Sequence, residues 1–318
     1  MEEILLQILV FGLSVFALIV SSKWIIESSK KMALILNISE FSVGFIFLAL
    51  ATSLPELAVS IIAAFEDAGQ IIVGNVLGSN IANILLILGI SAIIGTIKIQ
   101  DSELISNADI LLFMTLIPLF LLWKGTVGVF AGSILILLFV FYLYVMSRLK
   151  PDIEINGTAK PKQKVFPFVV FTAGVAILFF SANFMISSAV TIAEMLSVSQ
   201  TIIGLTIVAV GTSVGELIVN IHAMLKKSYG LALGNIFGSC IINLTLVLGA
   251  AAIIREIVFD YAVAGSATFL LIASTVAVTY ILTKYKSLTR KYGILFVATY
   301  AVFIIVEVLG VPVFYAGA

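Results

Sequence analysis

Ala49-Leu50-Ala51-Thr52-Ser53-Leu54-Pro55-Glu56 recurs 160 residues later as Ala209-Val210-Gly211-Thr212-Ser213-Val214-Gly215-Glu216. Gly74-Asn75-Val76-Leu77-Gly78-Ser79, followed by Asn83, recurs at the same offset as Gly234-Asn235-Ile236-Phe237-Gly238-Ser239, followed by Asn243. Residues 44–89 align with 204–249 without a gap, and 18 of the 46 positions are identical. A duplication at fixed spacing implies two copies of one structural unit. Each copy places a carboxylate inside an apolar segment, which points to an ion site within a membrane.

The composition agrees. The chain is 62% hydrophobic and 11% charged, with a mean hydropathy of +1.25; a soluble domain carries about 25% charge. Met1-Glu2-Glu3 is acidic where a signal peptide is basic, so no cleaved leader is expected. The single cysteine, Cys240, excludes an intramolecular disulfide and gives no thiolate metal site. A helix needs roughly 20 apolar residues to cross a bilayer. Runs of that order fall near 4–22, 41–64, 71–95, 108–123, 126–147, 165–189, 201–225, 231–254, 261–283 and 292–311. The expected fold is an all-α membrane protein of ten transmembrane helices in two inverted five-helix repeats.

Charge placement sets the orientation. With ten spans, the side that carries the termini holds only Lys124 and Arg255 of the 17 basic residues. The other 15 fall on the opposite side, so that side is expected to be cytoplasmic and both termini extracellular. Glu66-Asp67 in the loop after the first motif maps onto Lys226-Lys227 after the second. An acidic loop that maps onto a basic one is what inversion predicts, and five spans per half require it. The expected division is a first repeat over 1–150, a cytoplasmic linker over 151–164 and a second repeat over 165–318. Inverted repeats of this kind typify secondary transporters, with the site at the repeat interface near the midplane.

Of 17 acidic residues, only Glu56 and Glu216 sit deep inside spans. A buried ionisable side chain costs at least ~2.5–3.5 kcal/mol on insertion scales, so its default reading is functional. Thr52 and Ser53 lie four and three residues before Glu56 and share its helical face. Asn75, Ser79 and Asn83 follow at intervals of four, and Asn235, Ser239 and Asn243 repeat them. Hydroxyl, amide and carboxylate oxygens suit hard cations, and no transmembrane Cys or His cluster suggests a transition metal. Pro55 should kink its helix and free carbonyls such as those of Ala49 and Ala51. Gly215 stands in its place in the second copy and permits a bend without imposing one. Glycines 74, 78, 234 and 238 should let helices approach closely. His222, the only histidine, lies off the Glu216 face and reads as a satisfied interfacial residue. Asn80 has no polar counterpart, since Cys240 occupies the equivalent position, and stays outside the candidate set.

At these residues the chain resembles the cation/Ca2+ exchanger superfamily, and within it the prokaryotic Na+/Ca2+ exchanger type. A Gly-Thr-Ser-Leu-Pro-Glu type motif is matched by Ala51–Glu56 and, altered, by Gly211–Glu216. A Gly-Asn-x-x-Gly-Ser-x-x-x-Asn/Asp motif is matched by Gly74–Asn83 and Gly234–Asn243. The resemblance implies a Ca2+ site formed by Glu56, Glu216 and the backbone carbonyls of Thr52 and Thr212. It implies Na+ sites that share those glutamates with Ser53, Ser79, Ser213, Ser239 and the carbonyls of Ala49 and Ala209. Asn83 and Asn243 complete the candidate ligand set. Two departures stand out: Gly215 replaces the usual proline, so the second half should bend less sharply, and position 243 is Asn where some relatives have Asp. The Asn argues against K+ cotransport.

The expected function is an antiporter that exchanges Ca2+ for Na+ by alternating access, with the first span of each half, 1 and 6, moving across the site-bearing spans. Ca2+/H+ exchange on the same two glutamates is the alternative, and a channel lacks its repeated filter loop here. An enzyme is not expected, because no transmembrane Asp pair or suitably placed His is present. No cofactor, nucleic acid or protein partner is expected; the partners are Ca2+, Na+ or H+, and the bilayer of the cell membrane.

Overall fold

The computed structural model describes residues 2–98, 116, 125–148, 165–195, 213–258 and 261–309. Apart from Leu116, the expected fourth span lies outside the described residues. So do the 151–164 linker and the part of the seventh span that holds Ala209 and Thr212. Among the described residues, six helices are long and apolar enough to cross a bilayer, and a bent pair makes a seventh span.

Helix α1 (Glu2–Leu36) runs ~50 Å at ~1.5 Å per residue, more than a hydrocarbon core of ~30 Å. Serines 14, 21 and 28 recur every seven residues and are buried along one stripe, while Leu5, Leu9 and Phe16 on other faces are exposed. Ser21 and Ser28 donate to the carbonyls of Leu18 and Trp24 in their own helix, so these small residues pack without an unpaired hydroxyl. The stripe faces α6 (Phe166–Met195), where a Cβ on Gly174 would come within 2.9 Å of Ile25. The two helices pack along each other as a pair.

After α1, Ser39 caps the next helix by accepting the Ser42 N–H at 3.0 Å. That helix, α2 (Glu40–Thr52), is followed at a 45° bend by α3 (Leu54–Phe65). Then come α4 (Gly69–Ile94), strand β1 (Ile97–Lys98), strand β2 (Thr126–Val127) and α5 (Val129–Arg148). Beyond α6 follow α7 (Val214–Leu225), α8 (Tyr229–Ile254) and β3 (Ile257–Val258). The chain continues with α9 (Tyr261–Tyr285), β4 (Ser287–Leu288) and α10 (Arg290–Leu309).

Helices α4 and α8 are the mostly buried centre, and α1, α5 and α6 turn most of their apolar surface outward. The centre is held by reciprocal contacts. Helix α8 crosses α5 where a Cβ on Gly249 would sit 2.9 Å from the Gly132 carbonyl oxygen. Helix α4 crosses α10 in the same way, with 2.5 Å from a Gly293 Cβ to the Gly89 oxygen. Each crossing is continued by a two-residue antiparallel ladder. Ile97 pairs with Leu288 and Ile257 pairs with Val127. Gly89 and Gly249, and Ile97 and Ile257, are each 160 residues apart. The turns that lead into α4 and α8 also match, with Asp67 and Lys227 both left-handed at φ 59° and 56°. The all-α expectation therefore needs one addition, the two short ladders that tie the ends of α4 and α8 to their neighbours.

Candidate cation site

The break between α2 and α3 falls at Ser53, whose φ −88° and ψ 6° leave the helical region. Pro55 is then in the first turn of α3, where its missing N–H breaks no bond and its fixed φ suits the helix. Glu56 shares that turn, next to the positive end of the helix dipole, which favours an anion there. The expected kink at Pro55 is thus a helix start. The expected freeing of the Ala49 carbonyl does not occur, because it accepts the Ser53 N–H at 2.9 Å and the Thr52 hydroxyl at 3.4 Å.

The second copy repeats this geometry without the proline. Ser213 has φ −87° and ψ 1°, and Glu216 lies in the first turn of α7. The serine takes the same conformation in both copies, and the segment whose bend against α7 would be compared lies outside the described residues. Gly215 has a packing role instead, since a Cβ there would lie 3.0 Å from Leu178 of α6.

Glu56 and Glu216 are both fully buried. The two halves meet at the second carboxylate, where Ser53 donates its hydroxyl to Glu216 Oε1 at 3.3 Å. Ser239 from α8 and Asn83 from α4 face the same carboxylate. Thr52 donates to Asn235 Oδ1 at 3.1 Å, a second link between the copies. Behind the carboxylates, Asn75 donates to the Glu56 backbone oxygen and to Ser60, both at 2.9 Å, and Asn220 donates to the Glu216 backbone oxygen at 2.9 Å. Asn75 therefore holds the start of α3 rather than extending a ligand row. Ser60 and Asn220 are also 160 residues apart, a signal present in the alignment and unused in the candidate set.

The candidate oxygens fall into three groups. Ser53, Asn83 and Ser239 converge on the Glu216 carboxylate, while the Thr52 hydroxyl turns to the Leu48 and Ala49 carbonyls and to Asn235. Ser79, Ser213 and Asn243 are buried on the same elements. Ala209 and Thr212 are not described. Among the described residues, Glu216 Oε2, both side-chain atoms of Asn83 and of Asn243, and the hydroxyls of Ser213 and Ser239 have no hydrogen-bond partner. Each such buried group costs ~1–3 kcal/mol unless something satisfies it. A dehydrated hard cation does so, since it takes 6–8 oxygens of this kind. No cluster of three His, Cys, Asp or Glu that could hold a metal ion exists among the described residues.

Helices α2, α4 and α8 each contain a π-helical segment, at Gly44–Ala49, Ala82–Ile87 and Asn243–Val247. Each holds a candidate residue: Ala49, Asn83 or Asn243. Such widened turns concentrate at functional sites and re-aim side chains. The motif spacing carries no signal of them. His222 donates to or accepts from Ser22 of α1 through Nδ1 at 2.8 Å, consistent with an interfacial residue. Beside it Lys226 pairs with Glu27 of α1 at 3.5 Å.

The family described as sodium/calcium exchanger protein matches residues 6–148 and 166–309. A putative antiporter, CaxA, of Alkalimonas amylolytica is 34% identical over 82% of this chain and 84% of its own. The sodium/calcium exchanger MaX1 of Methanosarcina acetivorans is 27% identical over 95% and 99%. The solved structure of the sodium-calcium exchanger NCX_Mj, soaked with 10 mM Na+ and zero Ca2+, superposes with a TM-score of 0.85 at 30% identity. That likeness covers 95% of this chain and 99% of that one.

Proposed function

This chain belongs to the sodium/calcium exchanger family, and from that footing we propose that it is an antiporter that moves Ca2+ against Na+ across the cell membrane. It is a multi-pass membrane protein of the exchanger fold. Its division into ten helices in two inverted repeats is supported by the reciprocal Gly89–Gly293 and Gly249–Gly132 crossings and the two matched ladders. The extracellular placement of both termini is supported by the 15-to-2 division of basic residues.

The observation that carries the reading is the fully buried pair Glu56 and Glu216, with Ser53 of one copy bonded to Glu216 of the other. Two carboxylates neutralise one Ca2+. Without a cation they leave two like charges in low dielectric, a costly state. The site therefore crosses between faces only when its charge is compensated, by one Ca2+ or by Na+ ions, and that coupling makes exchange obligatory. Ca2+ is held by Glu56, Glu216 and the Thr52 and Thr212 carbonyls. Na+ draws on the same carboxylates with Ser53, Ser79, Ser213, Ser239, Asn83, Asn243 and the carbonyls of Ala49 and Ala209. The paired helices α1 and α6 are the moving unit. They pack on each other and reach α7 through the Ser22–His222 and Glu27–Lys226 contacts.

The test is uptake of radiolabelled Ca2+ into proteoliposomes loaded with Na+, with K+, or with acidic buffer. Uptake driven by outward Na+ alone is expected. Uptake driven by a pH gradient in the absence of Na+ would replace this reading with Ca2+/H+ exchange on the same glutamates.

A further inference from the structure

The repeats differ at one position beside the site. Asn80 and Cys240 are equivalent by the 160-residue offset, and both are buried. Asn80 is fully buried, and neither its Nδ2 nor its Oδ1 has a hydrogen-bond partner among the described residues. An asparagine amide has two donors and an acceptor with two lone pairs, so a buried one without partners is an anomaly that calls for a ligand. Its place in α4 supplies one. Asn80 follows Ser79 directly and precedes Asn83 by three residues, which puts it about 60° from Asn83 around the helix axis. Its helix, α4, packs along α3, the helix that opens with Glu56, and Asn75 of α4 donates to the Glu56 backbone oxygen at 2.9 Å.

We propose that Asn80 is a further cation ligand on the Glu56 side, and that the Asn80/Cys240 difference makes the two sides of the site unequal. An amide oxygen suits a hard cation such as Na+ or Ca2+, whereas a thiol is a soft ligand that these ions avoid. The Glu56 side then holds the more oxygen-rich set, and the preferred cation position lies off the centre of the repeats, towards α3 and α4. The inference rests on the cation-site reading above.

Thermal unfolding of the purified full chain in detergent, titrated with CaCl2 and separately with NaCl, tests it. Asn80→Leu removes the amide at similar volume. Its midpoint without added ions should equal or exceed that of the parent, because an unpaired buried amide is gone. It should need about ten-fold more of each ion, or more, for half of the ion-induced rise, the scale on which metal sites respond to loss of a supporting group. Asn80→Asp, which keeps the oxygen and adds charge, should lower the Ca2+ midpoint below that of the parent. Two results overturn the proposal: a large drop in the ion-free midpoint of Asn80→Leu with parent-like ion dependence, or a parent-like Ca2+ midpoint in Asn80→Asp. The Asp variant decides alone if the Leu variant does not fold. A parent protein that Ca2+ and Na+ fail to stabilise overturns the cation-site reading as well, while a stabilised parent with unshifted variants overturns this inference only.

Discussion

Glu216→Gln removes one charge and little else. Glutamine keeps the volume, stays compatible with the first turn of α7, and still offers an oxygen to the Ser53 hydroxyl that now lies 3.3 Å from Oε1. The fold should therefore survive, and the ion-free protein should be at least as stable as the parent, since a neutral amide is cheaper to bury than a carboxylate. Binding should collapse. Two unit charges ~4 Å apart interact by ~4 kcal/mol at an effective dielectric of ~20. For a divalent ion the loss doubles to about 8 kcal/mol, and even if relaxation recovers half of it, Ca2+ affinity falls about 1,000-fold. Na+ loses about half as much free energy as Ca2+, so the variant should shift selectivity towards the monovalent ion. Two assays read this: Na+-driven Ca2+ uptake in proteoliposomes, expected below detection, and the Ca2+-induced rise in unfolding midpoint. At a concentration 100 times Kd the parent gains about 2.7 kcal/mol from the ion, and the variant should gain almost none at the same concentration. Ca2+ flux within ten-fold of the parent would refute the assignment of Glu216 as a ligand, and equal losses for Ca2+ and Na+ would refute the charge argument.

Other substitutions separate neighbouring claims. Ser53→Ala should cost about 1.5 kcal/mol of cation-site organisation, the lower end for a bond to a charged group given its length, and so raise the half-maximal Ca2+ about ten-fold in flux assays. An unchanged value would show that the cross-copy bond is incidental. Gly234→Ala drives a Cβ into the Phe41 backbone oxygen and should destabilise the protein by about 1–3 kcal/mol, the cost of overpacking, read as a lower unfolding midpoint. Gly12→Ala, with nothing within 4 Å, should not. Joining Ser22 and His222 as a cysteine pair in a Cys240→Ser background should stop turnover reversibly while sparing Ca2+ binding, and full transport by the cross-linked protein would remove α1 as a moving element. Asp67 accepts two bonds from Arg255, at 2.9 and 2.7 Å, and that guanidinium holds its carboxyl below the usual range. The contribution is present above the unfolded pKa and is lost as pH falls through the lowered one. Asp67→Asn should therefore differ from the parent near neutral pH, and the difference in unfolding midpoint should shrink as the pH falls below the usual Asp range and vanish once the lowered pKa is passed.

Much of the site is legible in the sequence because duplication fixes positions independently of structure. Two glutamates at one offset among the same hydroxyls and amides locate the carboxylates, and burial bears out their depth. Spacing of four correctly groups Asn75, Ser79 and Asn83 on one helix, yet it cannot assign them separate tasks. Asn75 is claimed by the Glu56 backbone and Ser60, and Asn83 is aimed at Glu216. The eight residues from Asn75 to Asn83 already turn the helix by about 80°, and Asn83 itself lies in the π-helical segment Ala82–Ile87, which the spacing does not reveal.

Pro55 shows the same limit from the other side. Proline inside an apolar run reads as a kink at the residue before it, whereas here it is in the first turn of a new helix. The actual break is at Ser53, and Ser213 takes the same conformation at the start of α7 with no proline in that helix. What the two copies share is a serine in the bridge region followed three residues later by a glutamate in a first helical turn. That arrangement gives the carboxylate the favourable end of a helix dipole, at up to ~2 kcal/mol in a partly buried setting, and frees it from a continuous helix wall. The proline is thus one way to start the half-helix and the glycine another. The choice between them follows the neighbour: α6 comes within 3.0 Å of where a Gly215 side chain would begin, and a proline ring there would collide with Leu178. Gly215→Pro should therefore lower stability and disturb the α6 contact while leaving the Ser213 conformation intact. A variant as stable and as active as the parent would show that the helix start, and not the packing of α6, selects the residue at this position.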